Sequence, residues 1–134
     1  MAVYLDASAL VKLIVMEAES RALAEYLSSR TVRVSATLVR TEVPRAVRRN
    51  RPQLLDRAVR MLDGLRMITL DTAVLDRAAL VDPPDIRSLD AVHIAAALTI
   101  VDELEAIVTY DARMAEAARG LGIPVEEPGR ASPR

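Results

Sequence analysis

The sequence predicts an α/β fold, a mainly parallel central sheet of about five strands flanked by helices. Three observations lead there. Short runs of β-formers alternate along the whole chain with segments of helical periodicity. Hairpin signals are few, so crossover helices rather than tight turns must join successive strands. With 134 residues, 51% of them apolar and 28% charged, the chain suits one domain with a sizeable core.

Val3 to Leu5 is a short apolar run, and Ala7 to Leu13 has a helix former's composition, with Asp6 at the joint. Glu19 to Ser29 reads as an amphipathic helix with Leu23, Ala24 and Leu27 on one face. Val32 to Ser35 is a strand, after which Ser35 can cap a helix running to about Asn50. Pro44 lies inside that helix, where the missing amide predicts a bend. Pro52 suits the first turn of the next helix, which carries Leu55, Val59 and Leu62 on one face and ends near Gly64.

Met67 to Leu70 is a strand and Thr72 to Val81 a helix. Asp82-Pro83-Pro84-Asp85 is the clearest loop. Ser88 is placed to cap a long helix to about Glu103. Ala106 to Thr109 follows as a strand, Ala112 to Arg119 as a helix and Ile123 to Val125 as a last strand. The domain is therefore expected over residues 1–127, with a disordered tail over 128–134.

Composition excludes several classes of protein. Without cysteine there is no disulfide framework, thiolate metal site or Cys nucleophile. The longest nearly apolar stretch, Ala91 to Val101, is too short to span a bilayer. No basic segment or apolar signal core precedes Asp6, so a cytoplasmic protein is expected.

Net charge is −1, unevenly spread. Arg40, Arg45, Arg48, Arg49, Arg51, Arg57, Arg60 and Arg66 face only Glu42, Asp56 and Asp63 in the same segment, which is +5 and leaves −6 elsewhere. Such a segment is either a phosphate-binding surface or a solvated helical face. Only three residues are aromatic (Tyr4, Tyr26 and Tyr110), which argues against base-stacking platforms for single strands.

Four carboxylates occupy informative positions. Glu42 lies four residues after Leu38 and four before Ala46, within the apolar stripe of its helix, where an acid needs a partner or a function. Asp90 sits in the first turn of a helix that is apolar almost all round. A favourable helix dipole is the simpler account of it. Asp6 and Asp111 each stand where a strand ends and a helix begins. That is a place for ligands in open α/β folds, and equally a place for an N-cap. Ser8 and Thr109 each offer a hydroxyl two residues from an acid, suited to supporting hydrogen bonds. His93, one turn after Asp90, suits packing or a supporting contact better than a ligand role.

Two acids at strand ends and two on core-facing helix positions can converge at one edge of a parallel sheet. Four carboxylates there would repel by about 4 kcal/mol per pair at about 4 Å and an effective dielectric of about 20. A divalent cation relieves this, and an all-oxygen set suits Mg²⁺ or Mn²⁺ rather than zinc. Such sites usually perform phosphoryl transfer. Neither a Ser-His-Asp set nor a Gly-rich phosphate loop is present, and a phosphoaspartyl enzyme would want an acid where Ser8 stands.

Leu5-Asp6-Ala7-Ser8-Ala9-Leu10-Val11-Lys12, Arg40-Thr41-Glu42-Val43, Ser88-Leu89-Asp90-Ala91-Val92-His93 and Thr109-Tyr110-Asp111 resemble, in order and spacing, the four motifs of PIN domains. The match is nearest to VapC-type toxins and covers about residues 2–126. The resemblance implies a Mg²⁺- or Mn²⁺-dependent endoribonuclease with Asp6, Glu42, Asp90 and Asp111 as its acidic cluster. Asp6 and Asp90 would be the firmest metal ligands, Glu42 would bind metal or orient water, and Asp111 would ligate directly or through water. It implies 5′-phosphate and 3′-hydroxyl products, a tRNA or ribosomal RNA target, a cognate VapB-type antitoxin and a homodimer. Under it, Arg40, Arg45, Arg48 and Arg49 become candidate RNA contacts. Pro44 departs from the family pattern and could re-aim Glu42. The competing expectations are a non-catalytic metal- or partner-binding module and a housekeeping RNA-processing nuclease.

Overall fold

A computed structural model describes residues 1–130 of the chain. Five strands, β1 (Ala2–Leu5), β2 (Arg33–Ala36), β3 (Arg66–Ile68), β4 (Leu104–Val108) and β5 (Val125–Glu126), form one sheet of order β3-β2-β1-β4-β5. Every pairing is parallel. The helices are α1 (Ala7–Lys12), α2 (Ser20–Leu27), α3 (Val39–Asn50), α4 (Leu55–Asp63), α5 (Thr72–Ala78), α6 (Ser88–Leu98) and α7 (Ala112–Gly120). A single 3₁₀ turn, Pro52–Leu54, leads into α4.

Side chains on a strand alternate between faces, so β1 feeds two cores. Tyr4 points to one, shared with Val34, Ala36, Ile107, α5, α6 and α7. Val3 and Leu5 point to the other, packed by α1, α2, α3 and α4. All four β1 residues are buried, as a central strand covered on both faces requires. In α6, Ile94, Ala95, Ala96 and Ala97 are wholly buried, and the alanines let the helix backbone lie close to the sheet. Among the described residues no helix is long and apolar enough to cross a membrane.

Several boundaries differ from the sequence-based expectation, each for a local reason. Ser35 does not cap α3. It lies inside β2 and donates its hydroxyl to the Leu5 carbonyl at 2.7 Å, while α3 starts after Leu38 without a side-chain cap. The extent of α3 does agree with expectation, since it runs to Asn50 with Pro44 inside it. Ser88 is the first residue of α6 rather than its cap, which is Arg87. That helix stops at Leu98, not near Glu103. The Thr99 hydroxyl bonds the Ala96 carbonyl at 2.6 Å, and the chain tightens into turns through Val101 before β4 starts at Leu104. Of the expected tail, Pro128–Arg130 is held in place. Tyr110 donates to the Pro128 carbonyl at 2.7 Å, and Arg130 lies 5.5 Å from the centre of the Tyr110 ring. Residues 131–134 fall outside the described part.

Candidate metal centre

Parallel pairing places Leu5 beside Val108, so β1 and β4 end together and deliver Asp6 and Thr109 to the same sheet edge. Asp6 caps α1, with Oδ1 accepting from the Ala9 amide at 3.0 Å and from Ser8 Oγ at 2.6 Å. Its Oδ2 accepts from Thr109 Oγ1 at 2.5 Å. Asp111 caps α7, with Oδ1 accepting from the Arg113 and Met114 amides. Both acids are therefore N-caps, which uses one carboxylate oxygen of each. The hydroxyls also bind the strand end together: Ser8 Oγ accepts from the Tyr110 amide and Thr109 Oγ1 from the Asp111 amide.

Asp90, in the first turn of α6, accepts at Oδ2 from Arg87 Nε at 3.0 Å. Another nitrogen of the same guanidinium bonds Asp111 Oδ2, so Arg87 forks across two of the four acids. Glu42, on α3, meets His93 Nε2 at 2.6 Å, and His93 Nδ1 meets the Tyr4 hydroxyl at 2.6 Å. Burial, then the charge of Asp6, holds Tyr4 well above its ordinary pKa, so its hydroxyl keeps a proton to donate. A neutral imidazole satisfies both contacts, accepting from Tyr4 at Nδ1 and donating to Glu42 at Nε2.

The electrostatics are those of excess buried acid. Burial pushes the Asp6 carboxyl above its usual range, against the lowering effect of Ser8 and Thr109. Asp90 is raised by burial and then by the charge of Asp111, with Arg87 opposing. Every candidate ligand atom is a hard carboxylate oxygen, and the single imidazole has both nitrogens engaged. That donor set fits Mg²⁺ or Mn²⁺ and not a soft metal. Among the described residues, however, no three ligand-type side chains converge as a ready-made cation cage. Asp90 and Asp111 are held by Arg87, and Glu42 by His93.

Of the sequence-predicted residues, Asp6, Ser8, Thr109 and Asp111 share one hydrogen-bonded cluster, to which Arg87 joins Asp90. Glu42 and His93 form another pair beside it. Arg45, Arg48 and Arg49 line one shallow groove on α3 that none of these acids lines. Arg40 is turned to Asp63 at 3.2 Å. Sequence reasoning missed Arg87 and Tyr4. Arg87 carries only the weak signal of an i,i+3 spacing to Asp90, and Tyr4 has the pattern of an ordinary strand residue.

The PIN domain sequence profile matches residues 3–120. Ribonuclease VapC46 of Mycobacterium tuberculosis is 43% identical over 127 residues, covering 95% of this chain and 98% of that protein. Among solved structures, a toxin–antitoxin complex from Klebsiella pneumoniae superposes with a TM-score of 0.72 at 18% identity, covering 96% of this chain and 98% of that one. Mycobacterium tuberculosis VapC20, a toxin that cleaves the sarcin–ricin loop, gives 0.70 at 15% identity over 86% of this chain and 94% of that one. At those identities the superpositions speak for the fold.

Proposed function

The chain belongs to the PIN-domain family, and on that premise we propose that it is the toxin of a toxin–antitoxin pair, an endoribonuclease that hydrolyses RNA phosphodiesters. What supports the assignment of the site is one observation: β1, β4 and α6 bring Asp6, Asp111 and Asp90 to a single sheet edge, linked through Thr109 and Arg87. Asp6 and Asp90 hold the metal, Asp111 completes the set, and Glu42, oriented by His93, binds metal or aligns the attacking water. A bound Mg²⁺ or Mn²⁺ supplies a water of lowered pKa and charge neutralisation at the phosphate. The hydroxyls of Ser8 and Thr109 keep Asp6 in one rotamer, and the Tyr4–His93 pair does the same for Glu42. Cleavage leaves a 5′-phosphate and a 3′-hydroxyl.

The substrate is a structured cytoplasmic RNA, a tRNA or a ribosomal RNA loop, and the partner is a small VapB-type antitoxin that covers the acids. Exposed Leu75, Leu80 and Leu89 on and beside α5 and α6 offer an apolar surface for another copy of the chain. The purified protein is expected to cut total RNA into discrete 5′-phosphorylated fragments with Mg²⁺ or Mn²⁺, and to leave it intact with EDTA. Metal-independent cleavage, or none by folded protein on any RNA pool, would remove the nuclease reading.

Arg45 and Arg49 lie three and seven residues after Glu42, on nearly the same face of α3 and leading away from the acids. With Arg48 they are exposed and, among the described residues, pair with no acid. They are placed to follow an RNA backbone. Replacing Arg48 and Arg49 by Gln should weaken RNA binding and lower the slope of log affinity against log salt by about 1 to 2. An unchanged slope would assign that surface elsewhere.

A further inference from the structure

Among the described residues, Arg87 is the one side chain that bonds the carboxylates of two of the four acids, and it does so through the atoms a metal would need. Asp111 spends Oδ1 on the first amides of α7, leaving Oδ2 as its outward oxygen, and Arg87 takes that oxygen. Asp90 likewise gives Oδ2 to Arg87 Nε at 3.0 Å. A guanidinium suits this role because its planar donors span two carboxylates, whereas an ammonium is a point charge. Arg87 precedes α6 in extended backbone conformation, and its side chain is 52% exposed against 13% for Asp90 and 28% for Asp111. It can therefore swing to solvent without disturbing the core, while the acids stay fixed.

We propose that Arg87 is a positioning residue of the metal centre, a resident cation that holds Asp90 and Asp111 together and that a divalent metal must displace to bind. This rests on the reading of Asp90 and Asp111 as metal ligands. It accounts for two observations together: the acids lie at one sheet edge, yet no three ligand-type side chains converge there among the described residues. The competing account is a plain ion pair tying the start of α6 to the start of α7. The two accounts differ in sign. A resident cation competes with metal, so its removal tightens metal binding; a structural tie only organises the ligands, so its removal loosens binding or leaves it unchanged.

The test is calorimetric titration of Mn²⁺ into wild type, Arg87→Gln and Arg87→Lys at one ionic strength, with melting curves of each in EDTA and in saturating Mn²⁺. Arg87→Gln should bind Mn²⁺ about threefold to tenfold more tightly, because it frees two oxygens and removes one positive charge. Arg87→Lys, which keeps the charge but cannot fork, should fall between. Arg87→Gln should melt below wild type in EDTA and gain more from Mn²⁺. Equal or weaker Mn²⁺ binding by Arg87→Gln, with wild type still binding Mn²⁺ and cutting RNA, would overturn the proposal and leave the nuclease reading intact. A wild type that neither binds Mn²⁺ nor cuts RNA would overturn both. Should Arg87→Gln fail to fold, Arg87→Lys decides: tighter binding than wild type supports the proposal, and equal or weaker binding overturns it.

Discussion

Asp6→Asn should lower RNA cleavage by about 10³-fold or more while leaving the fold intact. The substitution keeps the shape of a buried side chain but removes the charge that, on the proposed function, attracts the metal. The Ala9 amide and the Ser8 hydroxyl can still donate to the remaining oxygen, and the Thr109 hydroxyl can turn to accept from the new amide group. Stability should move the opposite way. Burial raises the Asp6 pKa above its unfolded value, so folding without metal favours the protonated acid. That favourable contribution is fully present below the ordinary carboxylate range and is lost as pH rises through the raised value. Asp90, raised by burial and by Asp111, adds to the same trend. In EDTA, Asp6→Asn should therefore melt above wild type at about pH 7.5, with the gap closing towards about pH 4. Paired melting curves check it; a variant that melts lower at neutral pH would contradict the buried-charge account.

Ile107→Ala should cost about 3 kcal/mol, near the middle of the range for truncating a buried isoleucine. Ile107 is fully buried in β4, between Tyr4 of β1 and Val125 of β5, where the sheet meets α6 and α7. The loss should appear as a fall in melting temperature of about 10 °C. Metal binding by the folded fraction should persist, because the acids stand beyond the strand end. A melting temperature within a degree or two of wild type would contradict the central placement of β4.

What was legible in the sequence follows from where periodicity carries information. Asp6 and Asp111 could be read as junction residues because a run of β-formers ended at each and a helical pattern began. Parallel pairing of β1 with β4 then places them at neighbouring strand ends. Glu42 stood out because it interrupts an apolar stripe, and its partner, His93, lies on a helix far away in sequence. Arg87 was not legible. An exposed arginine in the connection before a helix breaks no pattern, and only the folded loop reveals that it bridges Asp90 and Asp111.

Tyr4 was hidden for the opposite reason, since a strand tyrosine passes for core until its hydroxyl finds the imidazole. The misplaced ends have similar causes. Ile100 and Val101 continue the apolar character of α6, but the chain has already tightened into turns. Ser35 carries a capping hydroxyl, yet it stands too early in the chain and spends that hydroxyl on a neighbouring strand.

Carboxylates from separate elements are proposed to make one cation site at this sheet edge. An anomalous difference map from crystals soaked in Mn²⁺ tests it most directly. A peak is expected within coordination distance of Asp6 and Asp90, with Asp111 beside it and Arg87 swung away. Peaks confined to surface acids such as Asp82 and Asp85, with Arg87 still bridging Asp90 and Asp111, would contradict it.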